Sequence, residues 1–400
     1  MGNEAFNVAS AGFALKKLEV PGTVGGVCLP LSGVRVIDFS QVVLGPVCTQ
    51  MLGDFGAEVI KIEKELIGDL TRWSLGNDPE GGQNPIFSAL NRNKKSVCAD
   101  LKDPISREQV KSLIETADVV VTNFRPGVME RLGLGYEDLS IRNSRLIFAE
   151  ATGYGPLGPF RHKGGQDILA QALSGLMARK PAPDAEISIY PTAICDYTAG
   201  MHLVQGILLA LLHREKTGVG QKVSVDLYSS MVALQLQEAT LQMMRGRDLN
   251  WATFPLTGVF QTKDTPIVVV GAFKEFPLRD ICKALELEDL SLDPRFATFE
   301  TQMAHREEIQ GTLRRRFVDM TSREWLARLE AVDILCAPIL TLPEALESEQ
   351  MASTGMRMKL LRSDGSLLET IGTPVRLSDV PEIATKLPPR LGEHTDELLR

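Results

Sequence analysis

Four hundred residues, 44% of them apolar, exceed what one small core requires, so two domains or one elaborated domain are expected. A formal net charge of −8 excludes a general binder of nucleic-acid backbone, which needs a basic face. No run approaches the ~20 uninterrupted apolar residues of a membrane span; the longest, "LVQGILLALL", has the length of a buried helix, so no membrane partner is expected either.

Residues 1–29 fit neither a signal nor a transit peptide and are expected to form a loose N-terminal extension. "GVRVIDFS" (33–40) predicts a strand. "GPVCTQMLGDFGAEVIKIEK" (45–64) predicts a helix with Pro46 in its first turn and Gly56 at its end, then a strand over Glu58–Ile62. The β-α-β pattern recurs in "KSLIETADVVVTNF" and "SRLIFAEATGYG". Strands alternating with helices imply an α/β fold with a parallel, doubly wound sheet that binds ligands at the carboxyl ends of its strands. The loops after residues 39, 62, 121 and 151 are therefore the places to seek a site.

In "HKGGQDILAQALSGLM" (162–177), apolar residues at helical spacing follow Asp167, which stands where an N-cap would. A long apolar helix, "TAGMHLVQGILLALLHREK", follows from about residue 198 and stops at "TGVGQ". "KVSVDLYSSMVALQLQEATLQMM" runs strand into helix, residues 258–270 read as a hairpin, and 280–335 carry short charged helices, which suggests a smaller α+β domain.

The sequence has neither a Walker lysine motif nor a G-x-G-x-x-G between strand and helix, which disfavours a nicotinamide dehydrogenase. The first β-α turn, "SQVVLGP", could instead set apolar atoms against an adenine and backbone N–H groups toward a pyrophosphate. Lys64, Arg72, Lys94, Lys95, Arg125 and Arg131 punctuate the predicted carboxyl edge, as a polyphosphate ligand would require of an acidic protein. His202 and His213 lie on the apolar helix as packing or capping residues, and no G-x-S-x-G elbow is present. Asp167 thus has no evident base partner, yet a carboxylate without one can act as a covalent nucleophile. The six cysteines are scattered, with no CxxC and no paired histidines at metal spacing. They read as buried thiols of a cytoplasmic protein, without a metal site.

These motifs, together with "GDLTRW", "NRNKKS", "NFRPGVMERLGLGYEDL", "ATGYGPLGPF" and the terminal "LGEHTDELL", resemble a family III CoA-transferase over about residues 30–400. The resemblance implies a Rossmann-like large domain, a smaller α+β domain and an interlocked homodimer. On this chain it implies a first large-domain part at 30–205, a linker helix and strand at 206–235, the small domain at 236–335, and a return to the large domain at 336–400. It makes Asp167 the nucleophile and lays CoA along Val43, Leu44, Lys64, Ala99, Lys102, Asn123, Phe124, Arg125 and Arg131, with Thr152 and Tyr154 near the thioester. Gly164 and Gly165 would stand beside the reacting carbonyl, where a missing Cβ permits close approach. Gln41 departs from the family, many of whose members carry Arg there.

The implied reaction passes CoA from an acyl-CoA to a free carboxylic acid through aspartyl anhydride and aspartyl-CoA thioester intermediates, with no permanently bound cofactor. Two other readings stay open. An α-methylacyl-CoA racemase shares the fold and CoA site, but its aspartate segment reads G-H-D-I-N-Y where this chain has "GGQDILAQ". A non-catalytic CoA- or nucleotide-binding protein would use Asp167 only as a cap.

Overall fold

The computed structural model describes residues 29–74, 84–182, 184–380 and 385–399. Except for Leu29, the expected N-terminal extension lies outside the described residues. Six strands, β1 (Arg35–Asp38), β2 (Glu58–Glu63), β3 (Lys94–Cys98), β4 (Val119–Thr122), β5 (Ile147–Thr152) and β6 (Lys222–Asp226), form one sheet in the order β3-β2-β1-β4-β5-β6. Every pairing is parallel, so strand order reverses between β1 and β4 and opens a crevice at their carboxyl ends.

The helices needed here are α1 (Leu44–Asp54), α2 (Pro85–Leu90), α3 (Pro104–Glu115), α4 (Val128–Arg131), α5 (Tyr136–Arg142), α6 (Asp167–Leu173), α7 (Ile194–Thr217), α8 (Leu227–Leu234) and α9 (Leu236–Arg245). They cover both faces of the sheet, which is why the central strands β4 and β5 are rich in Val, Ile, Phe and Ala. Val36, Val59, Val119, Val121 and Ile147 pack with α1, α7 and α8 on one face. Ile37, Ile60, Val120 and Phe148 pack with Val110, Met129 and Leu139 on the other. At Gly200 a Cβ would come within 2.4 Å of Val47, so α7 crosses α1 too closely for any side chain there.

Two expectations change. Helix α7 runs for 24 residues, longer than its ten-residue apolar core, and is long and apolar enough by composition to cross a membrane. Its inner face, Cys195, Ala199, Leu203, Ile207 and Ala210, is part of the sheet core. The segment 206–235 is also no linker, because β6 pairs with β5 from Phe148↔Lys222 to Thr152↔Asp226 and completes the large sheet. Its amphiphilic pattern looks like a connection because β6 is an edge strand.

A second, antiparallel sheet is formed by β7 (Thr257–Phe260), β8 (Ile267–Val270) and β9 (Leu335–Pro338) around its own core of Phe260, Phe317 and Trp325. The expected hairpin is β7–β8. Strand β9 carries this unit past residue 336, and a hairpin of β10 (Arg357–Leu361) and β11 (Leu367–Ile371) follows before the chain returns. The return is hydrogen-bonded to β3: the Gly392 and His394 amides donate to Ser96, and Cys98 N–H donates to Thr395 Oγ1, all at 2.9 Å.

Candidate active site

The site is built where β5 ends. Gly155 N–H donates to Thr152 Oγ1 at 3.0 Å and Tyr228 N–H to the Gly153 carbonyl at 3.1 Å, which folds "TGYG" back over the sheet. Gly153 and Gly165 then meet backbone to backbone: a Cβ on Gly165 would lie 2.2 Å from the Gly153 Cα. A Cβ on Gly164 would lie 2.9 Å from a guanidinium nitrogen of Arg125. The missing side chains of Gly164 and Gly165 are thus taken up by loop-on-loop packing and by Arg125, and this contact fixes the entry into α6.

Asp167 is the first residue of α6 and does not cap it; the Gln166 side chain does, accepting from Ile168 N–H at 3.0 Å. The Asp167 carboxylate instead points at the start of α7, a helix without a side-chain cap of its own. Its Oδ2 accepts the N–H groups of Cys195 at 2.8 Å and Asp196 at 2.9 Å. Its Oδ1 accepts from Gln171 Nε2 at 2.7 Å, and Asp167 is only 5% exposed. The carboxylate thus sits at the positive end of a 24-residue helix, against backbone N–H groups that helix leaves unpaired. His202, hydrogen-bonded to Ser230 at 3.0 Å, is a packed residue as expected.

Gln171, Cys195 and Asp196 carry no mark in the sequence reading. Gln171 follows Asp167 by four positions and so shares its helix face, a signal that could have been read. The other two lie far along the chain and meet Asp167 only in the fold. Burial, with the negative charge of Asp167, pushes the Cys195 thiol up to about 12, so it stays protonated and is no competing nucleophile.

Burial and the same charge push the Asp196 carboxyl up to about 6. In the unfolded chain this carboxyl ionises near pH 4. The folded state therefore holds the extra proton between those values, and stability falls as pH rises through that window. Asp196→Asn is expected to raise the melting temperature at pH 8 and to leave it unchanged at pH 3.5. Equal stabilisation at both values would refute this origin of the strain.

Around the crevice, Lys64 follows β2, Lys102 follows β3, Arg125 follows β4 and Arg131 sits on α4, all of them exposed. None of the four takes part in an ion pair among the described residues. Three other basic residues drop out of this edge. Arg72 is buried and bonded to both oxygens of Glu63 at 2.8 and 2.7 Å. Lys94 and Lys95 begin β3 at its amino end and pair with Asp38 and with Glu58 and Glu397.

Several expected CoA contacts have other work. Asn123 accepts the Gln41 N–H at 2.8 Å and donates to the Gln41 carbonyl at 2.7 Å, so its amide holds the first β-α turn with one donor and one lone pair. The Leu44 and Ala99 side chains lie inside the two cores, which leaves only their backbone for a ligand, while Phe124 is half-buried against one of those cores. Val43 is half-buried, while Val42 beside it is exposed and held in the left-handed region at φ 68°. Tyr154 stands edge-on to Phe160, with ring centroids 5.6 Å apart, over the loop that leads to Gly164.

The protein is thus an α/β protein with a parallel, doubly wound sheet, exposed cations at its carboxyl edge and a buried, hydrogen-bonded carboxylate at the start of α6. The chain belongs to CoA-transferase family III, whose family model matches residues 31–395. It is 34% identical to a succinyl-CoA:glutarate CoA-transferase of Mus musculus, over 93% of this chain and 86% of that protein. It is 35% identical to an acyl-CoA transferase of Fusarium pseudograminearum, over 92% of this chain and 84% of that one. The crystal structure of Rv3272 from Mycobacterium tuberculosis superposes with a TM-score of 0.84 at 33% identity, covering 93% of this chain and 99% of the other. As a family III enzyme the chain transfers CoA, with a CoA thioester as substrate.

Proposed function

We propose that this CoA-transferase uses Asp167 as a covalent nucleophile and exchanges CoA between small carboxylic acids, with succinyl-CoA and glutarate as the first pair to test. The placement of Asp167 carries the reading: it is buried and receives three N–H donors, and among the described residues no histidine is hydrogen-bonded to it. Attack on the thioester gives an aspartyl anhydride and CoA thiolate. Return of the thiolate gives an aspartyl-CoA thioester, which the acceptor acid opens in turn. The glutarate choice rests on the similarity to the mouse enzyme. A panel of acids offered with succinyl-CoA tests it, and the pair fails if glutarate is no better than unrelated acids. Enzyme incubated with succinyl-CoA and then hydroxylamine is expected to carry a hydroxamate at Asp167. Turnover without any modification there would refute the covalent reading.

Lys64, Lys102, Arg125 and Arg131 are read as the phosphate contacts of CoA. Such contacts bind ground and transition states alike, so Arg131→Ala and Lys64→Ala are each expected to raise KM for acyl-CoA roughly tenfold with little change in kcat. An unchanged KM in both variants would remove CoA from this edge.

We also propose a homodimer. Ile168, Leu169 and Leu173 on α6, Tyr197, Leu208, Leu209 and Leu212 on α7, and Leu236, Met243 and Met244 on α9 are exposed, apolar surface that a partner subunit would cover. A well-folded monomer in sedimentation at low concentration would contradict it. The five described cysteines are free, which fits work in a reducing compartment such as the cytoplasm.

A further inference from the structure

The two oxygens of Asp167 are held unequally. Oδ2 receives two N–H groups, from Cys195 at 2.8 Å and Asp196 at 2.9 Å, which engage both of its lone pairs. Oδ1 receives one, from Gln171 Nε2 at 2.7 Å, and keeps a lone pair free. Gln171 is itself fixed, because its Oε1 accepts the Tyr190 N–H at 3.1 Å and its side chain is fully buried. The donors to Oδ2 belong to the first turn of α7 and cannot turn away without unwinding it.

We propose that Oδ1 alone bonds to substrate, while Oδ2 stays seated on the Cys195 and Asp196 N–H groups through the whole cycle, as carbonyl oxygen and as oxyanion. This rests on the covalent reading above. In the first step an Oδ1 electron pair bonds to the thioester carbonyl carbon, the C–S bond breaks, and CoA leaves as thiolate. The thiolate pair then bonds to Asp167 Cγ, and the Cγ–Oδ2 π pair moves onto Oδ2. That pair returns as the Cγ–Oδ1 bond breaks, so the donor acid departs carrying Oδ1.

An oxygen of the acceptor carboxylate next attacks Cγ, Oδ2 takes the π pair again, and the thiolate is expelled. The thiolate finally bonds to the acceptor carbonyl carbon, whose bond to the bridging oxygen breaks. That oxygen stays on Asp167 as the new Oδ1. Each turnover therefore replaces one oxygen of Asp167 and no proton is consumed. At both passages through Cγ the negative charge forms on Oδ2, against donors already in place before the reaction.

The consequence is countable. Enzyme that turns over succinyl-CoA with glutarate labelled in its carboxylates with oxygen-18 is expected to take one heavy atom into Asp167 and no more, however many turnovers follow. Digestion and mass spectrometry of the peptide bearing Asp167 gives the count. Two heavy atoms would overturn the proposal while leaving the covalent reading intact, because a freely turning carboxylate exposes both oxygens. Turnover with no label at Asp167 would overturn both. Cys195→Pro removes one N–H from the seat at a first-turn position that tolerates proline. It is expected to lower kcat roughly 100-fold and to admit the second heavy atom. Should that variant fail to fold, the wild-type count still decides.

Discussion

Asp167→Asn is expected to lower CoA transfer by a factor on the order of 10⁴ or more, since a neutral amide cannot form the anhydride. Affinity for CoA should persist, because the cations proposed to hold its phosphates, Lys64, Lys102, Arg125 and Arg131, lie on other segments. The fold should survive at a cost. The Asn carbonyl can accept from Cys195 and Asp196, but its NH₂ then faces the Gln171 NH₂ that now bonds Oδ1 at 2.7 Å. Gln171 cannot flip to help without taking its acceptor from the Tyr190 N–H, so one buried donor goes unpaired for about 1–3 kcal/mol. Titration with CoA, urea unfolding and a transfer assay separate the three effects. A variant that keeps wild-type turnover would return Asp167 to a purely structural role.

The largest stability effect is expected at Asp38. Its fully buried carboxylate accepts from Thr49 at 2.7 Å and pairs with the equally buried Lys94 at 3.1 Å. Burial alone would raise this carboxyl, but Lys94 and Lys61 outweigh burial and hold it at about 2. Asp38→Ala takes away the carboxylate that keeps the buried Lys94 charged, and burial, which already lowers this ammonium to about 8, then drives it toward the neutral amine, while Lys61 keeps Asp69 at 2.9 Å. Breaking one side of such a pair costs about 3–5 kcal/mol. Urea unfolding at pH 7 measures it, and a loss below about 1 kcal/mol would show that Lys94 finds other solvation.

The parallel sheet was legible because its strands are bounded apolar runs with helical periods between them. Asp167 was legible as the opening residue of a helix, and Lys64 and Arg125 as cations following strands. The carboxylate's true partners were not, since the Cys195 and Asp196 N–H groups have no side-chain signature and meet Asp167 only because α6 and α7 converge. Nor could spacing show that Asn123 is bonded to Gln41, or that Arg72 and Lys94 are paired with Glu63 and Asp38: a lysine at a strand end looks the same whether it faces a ligand or an internal carboxylate. Gly164 and Gly165 were noticed for their missing Cβ, but the neighbours that use the space, Arg125 and Gly153, belong to other loops.

The hydrogen bonds from residues 392–395 to β3 bear on how the protein is made. Ser96 and Gly392 are 296 positions apart. At ~5–20 residues per second, a ribosome extends the chain for roughly 15–60 s after β3 emerges before those residues can reach it. Throughout that interval β3 is an uncovered strand edge, the kind of surface on which nascent chains pair wrongly with one another. The tail thus closes β3 last, and slower translation lengthens the time for which that edge stays open.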